Sequence, residues 1–137
     1  MAADDGQDGT ALVATMPFAA ASGVEIEAAS AEEVRGGLDW SPERCTIGDA
    51  MHGGALMLLA DSLGAVCAFL NLPAGAVTST IESKTNFFRG LRSGRASATS
   101  VPLHVGRTTI VVQTDIRDDR GKRIALVTQT QAVISPT

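Results

Sequence analysis

The sequence predicts an α+β domain in which a curled antiparallel sheet wraps round one long apolar helix. Two observations lead to this fold class. The segment Ala55–Leu72 is apolar and has helical spacing. After Gly75 the chain alternates with the period of two that is typical of strands. A sheet can hide so apolar a helix only by curling round it.

The apolar segment is long enough to raise the question of a membrane helix. Four residues interrupt it, namely Asp61, Ser62, Gly64 and Asn71. Because the chain beyond it is patterned as strands separated by turns, a helix buried inside a soluble fold explains the segment better. Pro73 and the following glycine are expected to end the helix, since proline lacks the N–H and glycine favours a turn.

The two sides of this helix differ in size. The bulky residues recur at steps of three and four and form an aliphatic stripe that suits packing on a sheet. They are Leu56, Leu59, Leu63, Val66 and Leu70. The side that carries Asp61 also has Gly54, Leu58, Ala65 and Ala68, most of which are small.

Six segments have the alternation and the β-branched residues of strands. Val24–Ala28 and Glu33–Trp40 are expected to form a hairpin before the helix, and Val77–Phe87, Arg95–Val105, Thr108–Ile116 and Ile124–Ile134 follow it. In the first of these four, unbroken alternation places Ser79 on the same side as Phe87 and Thr80 on the other. Pro102 implies that its strand lies at a sheet edge or contains a bulge.

Composition limits the domain count and the partners. With 137 residues, 45% of them hydrophobic, the chain fits one domain, assigned to residues 16–137. The acidic residues 1–15 lack the basic region of a secretory signal and are predicted to be a disordered tail. A net charge of −4 argues against a nucleic-acid surface and against attraction to an anionic membrane. Small molecules or proteins are the expected partners.

The cysteines indicate a reducing compartment. Cys45 and Cys67 have neither the spacing of metal ligands nor the density of a disulfide framework, so we expect a cytoplasmic protein with plain packing cysteines. With His52 and His104 they also form no ligand cluster, and no metal site is predicted.

Asp61 is the residue that needs an explanation. A buried carboxylate costs several kcal/mol unless it is paired, so this residue is either a structural group bonded to a neighbour or a functional one. His52 and Gly53 lie where the helix begins, where backbone N–H groups are free and the helix dipole is positive. Gly53 has no Cβ, so a carbonyl can approach its N–H closely. These residues suggest an oxyanion donor and a base.

The motif resembles that of a known family. His52-Gly53-Gly54, an acid nine positions after the histidine, four later strands and the turn Gly106-Arg107-Thr108 resemble the hotdog-fold acyl-CoA thioesterases of the PaaI-like (4-hydroxybenzoyl-CoA thioesterase-related) family. The resemblance covers residues 36–134. It implies that two subunits join their sheets, that dimers pair into homotetramers, and that active sites lie at the dimer interface.

The resemblance also assigns roles to residues. It implies that the N–H of Gly53 polarises the thioester carbonyl and that Asp61, reaching from the partner subunit, is the nucleophile or general base. His52 matches a histidine near the thioester, although a helix-start residue with a backbone hydrogen bond is an equally good reading. Ser79 matches a serine that helps to hold water, and Thr46 occupies the place of an Asn or Gln in relatives.

CoA phosphates are expected at two arginine-containing segments, because Arg side chains and backbone N–H groups suit phosphate. The first is the turn that carries Arg89 and Arg92. The second is the turn formed by Gly106, Arg107, Thr108 and Thr109. No cofactor is implied, since the CoA thioester is the substrate.

The predicted function is hydrolysis of an aryl- or medium/long-chain acyl-CoA to the free acid and CoA. Thr46, and Ala65 where the 4-hydroxybenzoyl-type enzymes carry Thr, depart from that subgroup. These departures leave open a non-catalytic acyl-CoA binding or regulatory protein of the same fold. A hydratase is a weaker alternative, because that chemistry uses a differently arranged His and acid.

Overall fold

The computed structural model describes residues 9–136. In this part of the chain three α-helices and six strands follow one another. The helices are α1 (Gly9–Ala14), α2 (Pro17–Ser22) and α3 (Gly53–Phe69). The strands are β1 (Glu25–Ala29), β2 (Val34–Asp39), β3 (Val77–Phe87), β4 (Arg95–Val105), β5 (Thr109–Arg117) and β6 (Arg123–Ile134). Each predicted strand is present, and each boundary lies within one residue of the prediction.

The six strands form one antiparallel sheet in the order β1-β2-β4-β5-β6-β3. Helix α3 contacts every strand of this sheet. Six flat strands would span roughly 24 Å at their usual spacing, whereas a helix is only about 10 Å across. The sheet therefore curls round the helix, and the predicted fold class is confirmed.

The core forms between the bulky stripe of α3 and the inner face of the sheet. Leu56, Leu59, Leu63 and Val66 of the stripe are buried. They meet the buried inner residues of the central strands, among them Ile110, Val112, Ile116 and Val127. Burying a side chain of this size contributes about 1.5–3 kcal/mol, so this layer accounts for much of the stability of the fold.

Register shifts occur in four strand pairings, and two of them bear on the predictions. The register of β4 shifts between Pro102 and His104, in a strand that lies inside the sheet, so the proline is accommodated by a bulge rather than by an edge. The register of β3 shifts in the same way between Thr80 and Glu82. The prediction of unbroken alternation in β3 is therefore wrong, because Ile81 is an extra residue that changes which side chains face the helix.

Regular structure begins nearer the N-terminus than the sequence predicts. Residues 9–15, part of the predicted disordered tail, contain α1, which contacts β1 and buries Val13. Helix α2 follows directly, and Ala19 joins the core. The expectation of disorder is corrected for these residues, because an apolar side of α1 has a strand to pack on. Residues 1–8 of the predicted tail lie outside the described residues.

None of the helices within residues 9–136 has the length and apolar character needed to cross a membrane.

Candidate functional site

Asp61 lies on the side of α3 that the sheet leaves uncovered. Asp61 is exposed in the single chain, as are Met57 one turn earlier and Gly54 two turns earlier, whereas Ala60 and Ser62 beside it are buried. The expectation of a buried carboxylate is therefore wrong for the single chain. The helix turns the acid toward the open face rather than into the core.

Two side chains from the sheet hold one oxygen of this carboxylate. The hydroxyl of Thr80 donates to Oδ1 of Asp61 at 2.9 Å. The amide Nε2 of Gln129 donates to the same oxygen at 3.0 Å. Within residues 9–136, Oδ2 of Asp61 has no hydrogen-bond partner and no cationic side chain pairs with it. The carboxylate is thus fixed through one oxygen and open at the other.

A second layer of amide and hydroxyl groups supports Thr80. Nε2 of Gln131 donates to Oγ1 of Thr80 at 2.8 Å, and the hydroxyl of Thr78 is shared between the carbonyl of Ala132 at 2.8 Å and Oε1 of Gln131 at 3.1 Å. Because the Thr80 oxygen already accepts from Gln131, its own hydrogen is left for Asp61. Gln131 is 0% exposed, whereas Thr80, at the outer end of this chain of bonds, is exposed in the single chain.

Gly64 makes room for the second donor. A Cβ at this position would overlap Oε1 of Gln129, since β6 approaches α3 closely there. Gln129 is 1% exposed, and its Oε1 has no hydrogen-bond partner in the part of the chain that the structure describes. Its amide is therefore held against the helix with its N–H toward Asp61.

The start of α3 presents a free donor. His52 is the N-cap residue, and its Nδ1 accepts from the N–H of Gly54 at 2.8 Å. Since Nδ1 is an acceptor, the neutral ring carries its hydrogen on Nε2. The N–H of Gly53 has no acceptor among the described residues, as expected for the first residue of a helix. Gly53 lies against the ring of Phe87 at the end of β3.

Asp61 and Gly53 do not meet within one chain. They are eight residues apart on the same helix, which corresponds to about 12 Å along its axis. The structure therefore separates the predicted oxyanion donor from the predicted base in a single subunit.

The structure brings Thr80 rather than Ser79 to Asp61. Ser79 precedes Thr80 in an extended strand, so its side chain points to the opposite, outer face. Thr46 lies in the loop before α3, where its backbone N–H donates to the carbonyl of Ala50 at 2.8 Å and its side chain is exposed.

The two segments predicted to contact CoA lie at opposite ends of the sheet. Arg89 and Arg92 border a cavity of about 200 Å³ together with Arg120 and Lys122. The turn 106–109 joins β4 to β5 at the far end, so about 27 Å of β5 separates the two segments. In this turn Arg107 and Thr108 are exposed, and the N–H of Gly106 donates to the carbonyl of Thr109 at 2.8 Å.

A larger groove opens beside His52. Its volume is about 580 Å³, and its apolar lining includes Phe18 and Ala21 of α2 and Ala55 and Leu58 of α3. Sequence analysis missed this wall, because a helix of six residues is too short to show a clear period. His52 and Gly54 at the start of α3 also line this groove, whereas Gly53 lines a neighbouring pocket with Phe87.

The cysteines are not reactive thiolates. Burial raises the pKa of Cys67 to about 11. The pKa of Cys45 is raised by desolvation and by the nearby carboxylates of Asp49 and Glu43. Both thiols are therefore neutral near pH 7. The cytoplasmic location inferred from cysteine usage stays a prediction.

Gln129 and Gln131, which sequence analysis did not single out, could have been found from the pattern of β6. The inward positions of β6 are Val127, Gln129, Gln131 and Val133, so two amides interrupt an apolar face. Polar residues at core positions need partners, and here those partners lead to Asp61.

The curled sheet, the central helix and the glycine at its start define a hotdog-fold protein. A family model described as the thioesterase superfamily matches residues 48–125, more than half of the chain. The chain belongs to the thioesterase superfamily, and the resemblance seen in its sequence is confirmed.

Curated relatives agree with this family. The 1,4-dihydroxy-2-naphthoyl-CoA hydrolase of Escherichia coli is 32% identical over 84 residues, which are 61% of this chain and 62% of that protein. A Vibrio cholerae protein with a provisional esterase name is 36% identical over 83 residues, which are 61% of this chain and 55% of that protein. The aligned part thus spans less than two thirds of these relatives.

Solved structures extend the similarity over the whole domain. A crystal structure of a mutant thioesterase from Pseudomonas aeruginosa has a TM-score of 0.88 and 29% identity, and the match covers 96% of each chain. A thioesterase from Haemophilus influenzae has a TM-score of 0.89 over 98% of this chain and 96% of that one. Its 24% identity supports the fold alone.

Proposed function

We propose that this chain is a homo-oligomeric acyl-CoA thioesterase in which Asp61 is the base or nucleophile. The observation that carries the proposal is the state of its carboxylate, held at Oδ1 by two donors and open at Oδ2. Such a group can attack the thioester carbonyl or take a proton from a water that does so. The carbonyl oxygen then needs a donor, and the N–H of Gly53 is of the required kind.

The donor comes from a second copy of the chain. Asp61 and Gly53 of one subunit are about 12 Å apart along the helix, which is too far for one carbonyl group. Strand β3 is an edge strand of 11 residues with exposed Val77 and Ile81, the sort of edge that pairs with another chain. Antiparallel pairing of two β3 edges brings the Thr80 end of one toward the Phe87 end of the other. Asp61 would then face Gly53 of the partner subunit.

The same pairing assembles a CoA site from two subunits. The turn 106–109 lies beside the beginning of β3, and the turn with Arg89 and Arg92 follows its end. An antiparallel pair places the first turn of one subunit at the same end of the joined sheet as the second turn of its partner. Arginine side chains and free N–H groups there would bind the CoA phosphates. Dimers would associate further into the homotetramer that the resemblance implies.

The groove beside His52 would take the acyl group. Its volume of about 580 Å³ lies within the usual range for small-molecule pockets, and its apolar wall suits an aryl or medium-to-long acyl chain. Nε2–H of His52 would offer a further donor to the thioester or the leaving thiolate. Hydrolysis would release the free acid and CoA.

The substitution Asp61→Asn tests this function. It keeps the shape and removes the base, so kcat is expected to fall at least roughly a hundredfold. Release of thiol from aryl-, medium- and long-chain acyl-CoAs is the measurement. Glu32→Gln is the matched control, since it removes a carboxylate from the exposed turn between β1 and β2.

Two outcomes would overturn the proposal. Turnover of the Asn variant close to wild type would make Asp61 structural. Tight acyl-CoA binding by the wild type without any thiol release would instead favour the non-catalytic binding protein.

A further inference from the structure

Gln129 reaches Asp61 from a different element of the fold. It lies on β6 and is 1% exposed. Its Nε2 is 3.0 Å from Oδ1 of Asp61 on α3. Within the described part of the chain, its Oε1 has no partner and its Nε2 has no acceptor other than Asp61. The amide thus makes one bond, to the proposed base.

A buried amide with one bond is costly for stability. Leaving its oxygen unpaired forfeits hydrogen bonding to water that the unfolded chain retains. A leucine or methionine would fill the same space without that loss. The arrangement also requires Gly64, since any Cβ there would collide with the amide. Gln129 and Gly64 together are therefore needed to place one N–H donor against Asp61.

We propose that Gln129, seated against Gly64, is a positioning residue that holds Oδ1 of Asp61 and directs Oδ2 toward the thioester. This inference rests on the function proposed above. Thr80 supplies the other donor to Oδ1, so the carboxylate is held from two directions and cannot rotate freely. A fixed base needs no reorientation in the transition state, which is the origin of its effect on rate.

The ionisable groups around Asp61 do not compete for this oxygen. Helix α3 has one other titratable side chain, Cys67, and α1 and α2 have no charged residue. On the two strands that hold the carboxylate, Glu82 bonds to Thr130, Arg123 pairs with Asp115, and Lys84 has no bond to Asp61. The ionisable residues of the other strands also lack any bond to it in the described chain; they are Glu25, Glu27, Arg35, Asp39, Arg95, His104, Asp115 and Arg117.

The substitution Gln129→Glu makes this role visible in a pH profile. Burial and the neighbouring Asp61 raise the pKa of the introduced carboxyl, so at acid and neutral pH it is protonated and its O–H can replace the amide donor. As the pH rises and this group ionises, Oδ1 loses its donor and meets a like charge. The ratio of variant to wild-type kcat is therefore expected to fall roughly tenfold or more from pH 6 to pH 9.

A control separates this effect from the added charge. Gln113 lies on β5, and its Nε2 donates to Thr128 at 3.3 Å, away from Asp61. Gln113→Glu introduces the same carboxyl into the same sheet and is expected to leave the kcat ratio constant with pH. Melting temperatures at each pH show whether either variant loses its fold.

Two further variants remove the donor without adding charge. Gln129→Met fills the space with an apolar side chain, and Gly64→Ala pushes the amide away. Each is expected to lower kcat roughly ten- to a hundredfold with little change in KM, and the double variant should lose little more than either alone. Such non-additivity is expected if both act through one hydrogen bond.

The outcomes distinguish this inference from the proposed function. If Asp61→Asn abolishes turnover while Gln129→Met and Gln129→Glu keep wild-type kcat at every pH, the positioning role is wrong and the thioesterase stands. If Asp61→Asn keeps full activity, the catalytic role proposed for Asp61 fails, and this inference fails with it, although the turnover itself remains thioesterase activity. Strict additivity of Gly64→Ala and Gln129→Met would also overturn the shared role.

Discussion

The hydroxyl of Thr80 donates to Oδ1 of Asp61 at 2.9 Å because a bulge in β3 places this threonine on the helix side. Phe87, seven residues later, also faces the helix, where it contacts Gly53. In an unbroken strand, residues seven apart point to opposite faces. The extra residue at Ile81 changes that phase and gives Asp61 a donor from the edge strand.

Thr80 can be tested with a matched pair of substitutions. Thr80→Val removes the hydroxyl at nearly constant volume, leaving Asp61 with one donor and Gln131 without its acceptor. Because hydrogen bonds to charged groups contribute about 1.5–3 kcal/mol, kcat is expected to fall roughly tenfold or more. Thr80→Ser keeps the donor and should stay near wild type. Equal kcat values for the two variants would show that the bond has no role in turnover.

The N–H of Gly53 can be removed without breaking the helix. Proline is well tolerated at the first helical position, and His52 before it already has φ −61° and ψ 135°, which suit a residue preceding proline. Gly53→Pro is therefore expected to fold and to lower kcat roughly a hundredfold or more through loss of the oxyanion donor. Gly53→Ala adds the same Cβ contact with Phe87 but keeps the N–H, so it is the control. Similar losses in both would point to crowding instead.

A shared site predicts recovery of activity on subunit mixing. Homo-oligomers of Asp61→Asn and of Gly53→Pro should each be inactive. After subunit exchange, a mixed dimer has one site with both defects and one with neither, so part of the wild-type turnover should return. Thiol release measured before and after exchange, with exchange verified by mass spectrometry, is the test. No recovery would argue that each subunit carries its own complete site.

The nucleotide end of CoA is expected to bind through local charge. The net charge of −4 leaves no general basic surface, so Arg89→Ala and Arg92→Ala should raise KM for acyl-CoA. A truncated acyl-pantetheine lacks the nucleotide phosphates, and its kcat/KM should hardly change. KM for acyl-CoA should also rise with salt, since exposed charges are screened beyond about 8–10 Å. Arg35→Ala is the control, and equal losses on both substrates would contradict the assignment.

Asp115 is expected to contribute acid-sensitive stability. Burial alone would raise the pKa of Asp115, but hydrogen bonds from Arg123 and Arg117, each at 2.9 Å, outweigh it and keep that pKa below its usual value. The stabilisation is therefore complete above the ordinary Asp pKa of about 3.9 and is lost as pH falls through the lower folded value. Asp115→Asn should lower the free energy of unfolding by about 1 kcal/mol at pH 7.

Urea unfolding at fixed protein concentration measures this difference, which should shrink progressively as the pH falls below the ordinary Asp pKa. Asp119→Asn, in the same hairpin but without an ion pair in the described chain, is the control. A difference that stays constant with pH would show that Asp115 acts by packing instead.

Much of this architecture follows from local patterns. The existence of α3, its buried stripe and the bounds of the strands are set by periods and turn residues that lie close together in the chain, although α3 ends at Phe69, before the proline that was expected to stop it. The helix start at His52 and the acid at Asp61 are also readable, because a glycine pair at a helix start and a lone charge in an apolar segment are both unusual.

The partners of Asp61 were decided by the tertiary structure. A bulge shifts the phase of a strand by one residue, and nothing in the side-chain pattern of β3 marks its position, so unbroken alternation puts Thr80 and Phe87 on opposite faces. The role expected for Ser79 rests on the family resemblance and not on this pattern. Gln129 lies 68 positions from Asp61 and reaches it only because β6 packs on α3 at Gly64. Sequence periodicity reports which face of an element is apolar, whereas the side chain that meets a given carboxylate depends on register and on close approach between distant elements.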